Sequence, residues 1–179
     1  MPYLLVLLAP LGLFALYVAS RPGAFRIERS LSIPASPEML FGLINDFHEW
    51  AQWSPWEKLD ATMTKTFEGP ASGKGATYRW KGNNKVGEGA MTILESTPSK
   101  IEIALAFLKP FAANNRTTFT LDPDGEGTRV TWAMEGENAF LAKAFGVFMN
   151  MDELVGKDFA SGLAALKEAA AKRGVITPA

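Results

Sequence analysis

Few side chains in this sequence are suited to nucleophilic, acid–base or metal chemistry. Cysteine is absent, which excludes thiolate nucleophiles and thiolate metal sites, and His48 is the only histidine. Segment 69–75 resembles a phosphate-binding loop, but it is one residue short and no Ser or Thr follows its lysine. We therefore predict that the protein uses no metal and no cofactor.

Four titratable side chains remain as candidates for general acid–base catalysis, which needs a positioned group with a shifted pKa. They are Asp152, Glu88, Glu95 and His48. Hydrophobic periodicity places only Asp152 on the inner face of an element, and a carboxyl group buried there without a cation would have a raised pKa. Asp152 is therefore the candidate catalytic residue, although no second catalytic partner can be identified.

Asp152 lies within a long apolar stripe at helical spacing, in residues 140–172. The apolar members of the stripe are Leu141, Phe145, Phe148, Val155, Phe159 and Leu166. Gly162 also lies on the stripe, where it would leave a hollow. In the alternative interpretation the helix only closes a core, and Asn150 caps a second helical segment with Glu153 three residues later. Asp152 is then a first-turn acid favoured by the helix dipole.

Between residues 24 and 137 the chain contains short segments in which apolar and polar residues alternate, as they do in half-buried strands. The predicted strands are 24–33, 63–67, 77–81, 85–95, 101–107, 116–121 and 128–137. Tight turns join most of them, which indicates an antiparallel meander. A short helix with Ser36 as its N-cap follows the first strand. We predict an α+β fold, a curved antiparallel sheet of about seven strands around the long C-terminal helix.

The inner face of this sheet would combine large apolar side chains with glycines. Gly87 and Gly89 either mark a bulge or clear space inside the curved sheet. The combination is compatible with a cavity that is roofed by the helix. The predicted ligand-binding residues are Tyr78, Trp80, Met91, Phe107, Trp132 and Met134 on the strands, and Phe148, Asp152 and Phe159 on the helix.

Residues 47–57 contain three of the five tryptophans, Trp50, Trp53 and Trp56. A short helix would place Trp50 and Trp53 on one side, and Pro55 would end it. Clustered tryptophans are typical of pocket rims and interfaces, because the indole combines a large apolar surface with an N–H donor. We therefore add Trp53 and Trp56 to the candidate ligand-binding residues. The alternative is a small core beneath a loop.

Residues 3–19 form an apolar run without a charge. At about 1.5 Å per residue a helix of this length nearly spans a bilayer core, so we predict a single-pass membrane anchor. Domain boundaries follow at 1–22 for anchor and hinge and 23–179 for the globular domain. Arginines after the run favour a cytoplasmic domain. The alternatives are a cleaved signal peptide, with a periplasmic or secreted domain, and a buried N-terminal helix.

The charge balance argues against nucleic acid as a partner. The formal net charge is −1 at pH 7, and there is no basic run, no RNA-binding aromatic motif and no zinc-finger spacing. A hydrophobic small molecule or lipid is the predicted partner, with the membrane contacted through residues 3–19. The sequence identifies no protein partner.

Several short motifs resemble one known group of proteins over residues 25–173. They are Arg29-Ser30, Ile33-Pro34-Ala35, Trp50-Ala-Gln-Trp-Ser-Pro-Trp56, Trp80-Lys-Gly-Asn83, Val86-Gly-Glu-Gly-Ala-Met-Thr-Ile93, Thr128-Arg-Val-Thr-Trp132, Asn150-Met-Asp152, Phe159-Ala-Ser-Gly-Leu163 and Leu166-Lys167. The chain resembles a bacterial member of the SRPBCC superfamily, the polyketide cyclase and START-like helix-grip proteins. The resemblance implies seven antiparallel strands around the C-terminal helix, with a hydrophobic ligand between them. It is specific for the fold and not for an activity.

Three functions follow as hypotheses. The first is membrane-tethered binding of a hydrophobic small molecule or lipid in an internal cavity. The second is a cyclase- or dehydratase-like enzyme that uses Asp152 as acid or base. The third is a protein-interaction module, similar to a co-chaperone, with tryptophans 50–56 as its exposed docking surface.

Overall fold

The computed structural model describes residues 2–176, so the last three residues of the predicted 23–179 domain lie outside the described part. In chain order the elements are α1 (Pro2–Ser20), β1 (Ala24–Ile33), α2 (Pro37–Asn45), a 3₁₀ helix (Glu49–Gln52), β2 (Thr64–Glu68), β3 (Thr77–Lys81), β4 (Glu88–Thr97), β5 (Lys100–Lys109), β6 (Ala113–Asp124), β7 (Gly127–Glu137), α3 (Phe140–Phe145) and α4 (Met151–Ile176).

The seven strands form one sheet in the order β1-β7-β6-β5-β4-β3-β2, and every neighbouring pair is antiparallel. The predicted alternation holds in β3, where Tyr78 and Trp80 are buried while Arg79 between them is exposed. Helix α4 packs on the inner face through Phe159, Leu163 and other buried apolar residues. The predicted α+β arrangement of a curved sheet and a C-terminal helix is confirmed.

The predicted single C-terminal helix is wrong, because the chain divides it in two. α3 ends at Phe145, with Gly146 as its C-cap residue. Asn150 then begins α4, since its Oδ1 accepts a hydrogen bond from the Glu153 backbone N–H at 3.2 Å. The alternative interpretation of Asn150 as a cap is therefore confirmed. Phe148 lies in the connection and is 78% exposed.

The glycines do not leave hollows in the core. A Cβ on Gly162 would lie 2.7 Å from Cζ3 of Trp132 and 3.1 Å from Cδ of Pro55, so these side chains already fill the space. Gly89 is covered by the Trp80 ring in the same way. The pairing of β4 with β5 shifts register between Glu88 and Gly89, which favours the bulge alternative over cleared space.

Two of the clustered tryptophans form a small core rather than an exposed surface. Trp50 and Trp53 are 3% and 1% exposed. Their indole N–H groups donate to the backbone oxygens of Ile44 and Leu43 at 2.9 and 3.0 Å, which ties this loop to α2. The prediction of an exposed docking surface is therefore wrong for these two residues, while Trp56 is partly buried.

The predicted anchor corresponds in position to α1, which is 19 residues long. In the described part of the chain, no helix is long and apolar enough to cross a membrane. The predicted transmembrane helix is thus not found.

We expect Gly162→Ala to lower the free energy of unfolding by about 1–3 kcal/mol. Alanine favours a helix interior over glycine by about 1 kcal/mol, but the new Cβ would be forced against Trp132, which is held between other rings. Urea denaturation measures the change.

Gly174→Ala is the matched control, because Gly174 is also in α4 and nothing lies within 4 Å of the position that its Cβ would take. It should leave stability unchanged or slightly raise it. A Gly162→Ala protein as stable as the control would show that Trp132 does not fix the position of α4.

Candidate ligand-binding cavity

A cavity of about 220 Å³ lies between α4, the inner face of the sheet and the loop that follows the 3₁₀ helix. Its residues are Trp50, Ser54, Trp56, Glu57, Met63, Tyr78, Trp80, Lys85, Val86, Met91, Leu105, Phe107, Thr117, Trp132, Met134, Val155, Asp158 and Phe159. Most of these side chains are apolar, so the cavity presents an apolar surface with a few polar groups.

Aromatic rings form one wall of the cavity. Trp132 of β7 stacks on Phe159 of α4 with ring centroids 4.3 Å apart and an angle of 7° between the planes. Trp56 meets both rings edge-on, at 5.6 and 6.2 Å. These rings also stiffen the wall, because each restricts the movement of the others. The buried Trp132 indole N–H has no acceptor among the described residues.

The polar groups of the cavity include a hydrogen-bonded pair from the loop and β3. The Tyr78 hydroxyl donates to Glu57 Oε1 at 2.8 Å, and Lys65 of β2 forms an ion pair with Glu57 Oε2. The Glu57 side chain is only 8% exposed. Burial and the bond to Glu57 raise the pKa of Tyr78 well above its ordinary value, so the phenol stays protonated at neutral pH.

Most of the residues predicted to bind a ligand line this cavity. They are Trp56, Tyr78, Trp80, Met91, Phe107, Trp132, Met134 and Phe159. Trp53 does not line it, because it lies behind the wall and packs on Trp132 at 5.7 Å. Sequence reasoning missed Glu57 and Asp158. Asp158 lies three residues after Val155, so helical phase could have placed it on the same face. Glu57 lies in a loop, where periodicity gives no signal.

Asp152 is not on the inner face, so its predicted burial is wrong. Its side chain is 58% exposed and forms an ion pair with Arg29 at 3.0 Å. Arg29 reaches α4 because it shares the inner face of β1 with Ile27 and because Gly156 has no side chain to block the guanidinium. Its hydrogen bond holds the pKa of Asp152 below the ordinary value, the opposite of the rise expected for a buried acid.

Phe148, another predicted cavity residue, instead lines a separate groove of about 560 Å³ on the outside of the domain. This outer groove runs between the end of α1 and the α3–α4 connection. Its residues include Arg21, Phe25, Lys143, Phe148, Met149 and Met151.

The other acid–base candidates also lie away from the cavity. Glu88 pairs with Lys109 at 2.9 Å, and a hydrogen bond from this lysine lowers the pKa of Glu88. Glu95 pairs with Lys100 at 2.9 Å. His48 stacks on Phe67 at the surface, with centroids 4.0 Å apart. Within residues 2–176, no group of three acidic or histidine side chains is placed to hold a metal ion.

We expect an NMR titration of Asp152 to give a pKa below about 3.9, and Arg29→Gln to raise it. Because the folded-state pKa is depressed, the ion pair stabilises the fold above the unfolded-state value. That contribution is lost as pH falls through the folded-state pKa.

Lys157→Gln provides the control, since it removes the cation that pairs with neighbouring Glu153 at 2.9 Å. It should leave the titration of Asp152 nearly unchanged. A pKa of Asp152 at or above the ordinary value would contradict this placement.

Solved structures of other proteins share the fold of this chain. A protein from Thermobifida fusca aligns with a TM-score of 0.60 and 21% identity over 82% of this chain and 93% of its own. The Aha1 dimer structure from Colwellia psychrerythraea aligns with a TM-score of 0.58 and 17% identity over 82% and 96%. The di-domain ARO/CYC StfQ from the steffimycin biosynthetic pathway aligns with a TM-score of 0.63 and 11% identity, and the alignment covers 86% of this chain and 53% of StfQ.

No curated protein gave a significant match. The identities to the solved structures are low enough that they establish the fold alone. Residues 24–171, however, match the profile of the family described as "Polyketide cyclase / dehydrase and lipid transport". The chain therefore belongs to this polyketide cyclase/dehydrase and lipid transport family, within the SRPBCC superfamily.

Proposed function

We propose that the domain binds an apolar small molecule in the cavity between α4 and the sheet. The observation that carries this proposal is the wall itself, in which the rings of Trp56, Trp132 and Phe159 border unfilled space instead of closing on it. Interiors are normally packed to the density of organic crystals, so an apolar hollow inside a core costs stability unless a ligand fills it.

The pairing of Glu57 supports a mainly apolar ligand. Glu57 already accepts the Tyr78 hydroxyl and pairs with Lys65, so it needs no further partner from a ligand. Burying about 200 Å² of apolar ligand surface would contribute on the order of 5 kcal/mol before ordering costs are subtracted. This contribution comes from apolar contact and does not require a charged contact.

The size of the cavity favours a compact ligand. Its volume of about 220 Å³ is below the roughly 300–1,000 Å³ of typical ligand pockets. Flat, stacked side chains such as Trp132 and Phe159 suit a ligand with a flat ring system, because rings make a large contact area at little loss of conformational freedom.

We also propose that the N-terminal segment tethers the domain to a membrane, which stays a prediction. It is supported by the absence of charge in residues 3–19 and by the exposure of Leu11, Leu13 and Leu16 on α1. A domain held near lipid would meet apolar ligands at high local concentration. The orientation of the domain and cleavage of the N-terminal segment likewise stay predictions.

The two alternative functions lose their structural basis. Catalysis by Asp152 requires a group inside the cavity, whereas Asp152 is exposed and paired with Arg29. Docking through residues 50–56 requires exposed indoles, whereas Trp50 and Trp53 are buried.

The test is native mass spectrometry, with organic extraction, of the full chain purified from cells, followed by titration with a fluorescent apolar probe. We expect a bound apolar compound or saturable probe binding. Val155→Phe, which fills the cavity from α4, should weaken probe binding at least tenfold.

Leu154→Phe is the matched control, because Leu154 is the adjacent residue but is half exposed and does not line the cavity. It should bind the probe like the unaltered protein. Equal binding by Val155→Phe and Leu154→Phe would reject the cavity as the binding site.

A further inference from the structure

Three segments expose large apolar side chains near one another on the outside of the domain. They are residues 10–22, at the end of α1 and just after it, residues 108–115, from the end of β5 to the start of β6, and residues 138–151 around α3. We refer to them together as the three-segment surface. The side chains that matter most, each at least 56% exposed, are Leu13, Leu16, Phe111, Leu141, Phe145 and Phe148.

Direct contacts join the three segments. Phe14 of α1 lies against Phe148, with ring centroids 6.1 Å apart, and Phe111 lies against Phe145 at 6.4 Å. Lys143 Nζ donates to the backbone oxygen of Arg21 at 3.0 Å, close to the C-terminus of α1. The three segments that carry the exposed apolar side chains therefore lie against one another.

The charges of this surface have one sign. Its three segments contain Arg21, Lys109 and Lys143 and no acidic residue. Lys109 pairs with Glu88 of β4, whereas Arg21 and Lys143 bond to backbone oxygens and keep their net charge.

Acidic residues occur only at the ends of the third segment. Glu137 precedes it, and Asp152 and Glu153 follow it, the last two paired with cations at 3.0 and 2.9 Å. A large apolar area with uncompensated cations inside it is the pattern of surfaces that bind anionic lipid.

We propose that the three-segment surface binds the face of an anionic lipid bilayer. Its apolar side chains enter the boundary between headgroups and acyl chains, and Arg21 and Lys143 lie at the level of the phosphates. A second copy of this chain fits the surface less well. In a twofold dimer each patch faces its own equivalent, and the three segments contain no acidic residue that could pair with Arg21 and Lys143 of the other copy. The proposal does not depend on a ligand in the inner cavity.

The test is flotation of the full-length protein with phosphatidylcholine vesicles, with and without about one-third phosphatidylserine. We expect at least fivefold tighter binding to the anionic vesicles, and a loss of this preference at high salt, because each cation near such a surface contributes about that factor. Leu141→Ser should weaken binding about tenfold, since a leucine would no longer enter the lipid.

Leu94→Ser is the matched control, because Leu94 is an exposed leucine on β4, outside the three segments. It should bind vesicles like the unaltered protein. Unchanged binding of Leu141→Ser would assign any membrane contact to α1 alone and overturn the proposal. The proposal would also be overturned if light scattering detected a dimer in the absence of vesicles and Leu141→Ser dissociated that dimer.

Discussion

The stacking of Trp132 on Phe159 is the contact on which the arrangement of helix and sheet depends. It joins the centre of β7 to the N-terminal half of α4, and Gly162, one turn later in the helix, lets the helix approach the same indole. On one side of this contact the core is packed, with Leu163 and Leu166 fully buried. On the other side lies the cavity. The stack therefore separates a filled core from a space that can accept a ligand.

A second contact holds α4 at its N-terminus. Arg29 extends from the inner face of β1 to Asp152 in the first turn of the helix, and Gly156 gives it room. Val155 and Asp158 lie between this ion pair and Phe159, and both line the cavity. The helix thus spans the cavity between two attachments, one ionic and one aromatic.

The sequence predicted the sheet well because alternation is a local signal. β1 and β3 have the predicted boundaries, and the residues predicted to face inward from β3 to β7, such as Met91, Phe107 and Trp132, line the cavity. The helical prediction failed where it was extended through Gly146 and Asn150, since a break there resets the phase and moves Asp152 to the surface. The sequence around Gly162 does not reveal whether the space beside this glycine is empty. That space is filled by Trp132, which lies thirty residues earlier in the chain.

Methyl NMR of the methionines tests the central claim, that an apolar ligand binds inside the cavity, most directly. The methionines of the cavity are Met63, Met91 and Met134, and those of the outer groove are Met149 and Met151. Titration of the full chain with an apolar probe should shift the three cavity methyl signals in parallel and leave those of the groove unchanged. Shifts confined to Met149 and Met151 would contradict the account, because they would place the ligand in the outer groove.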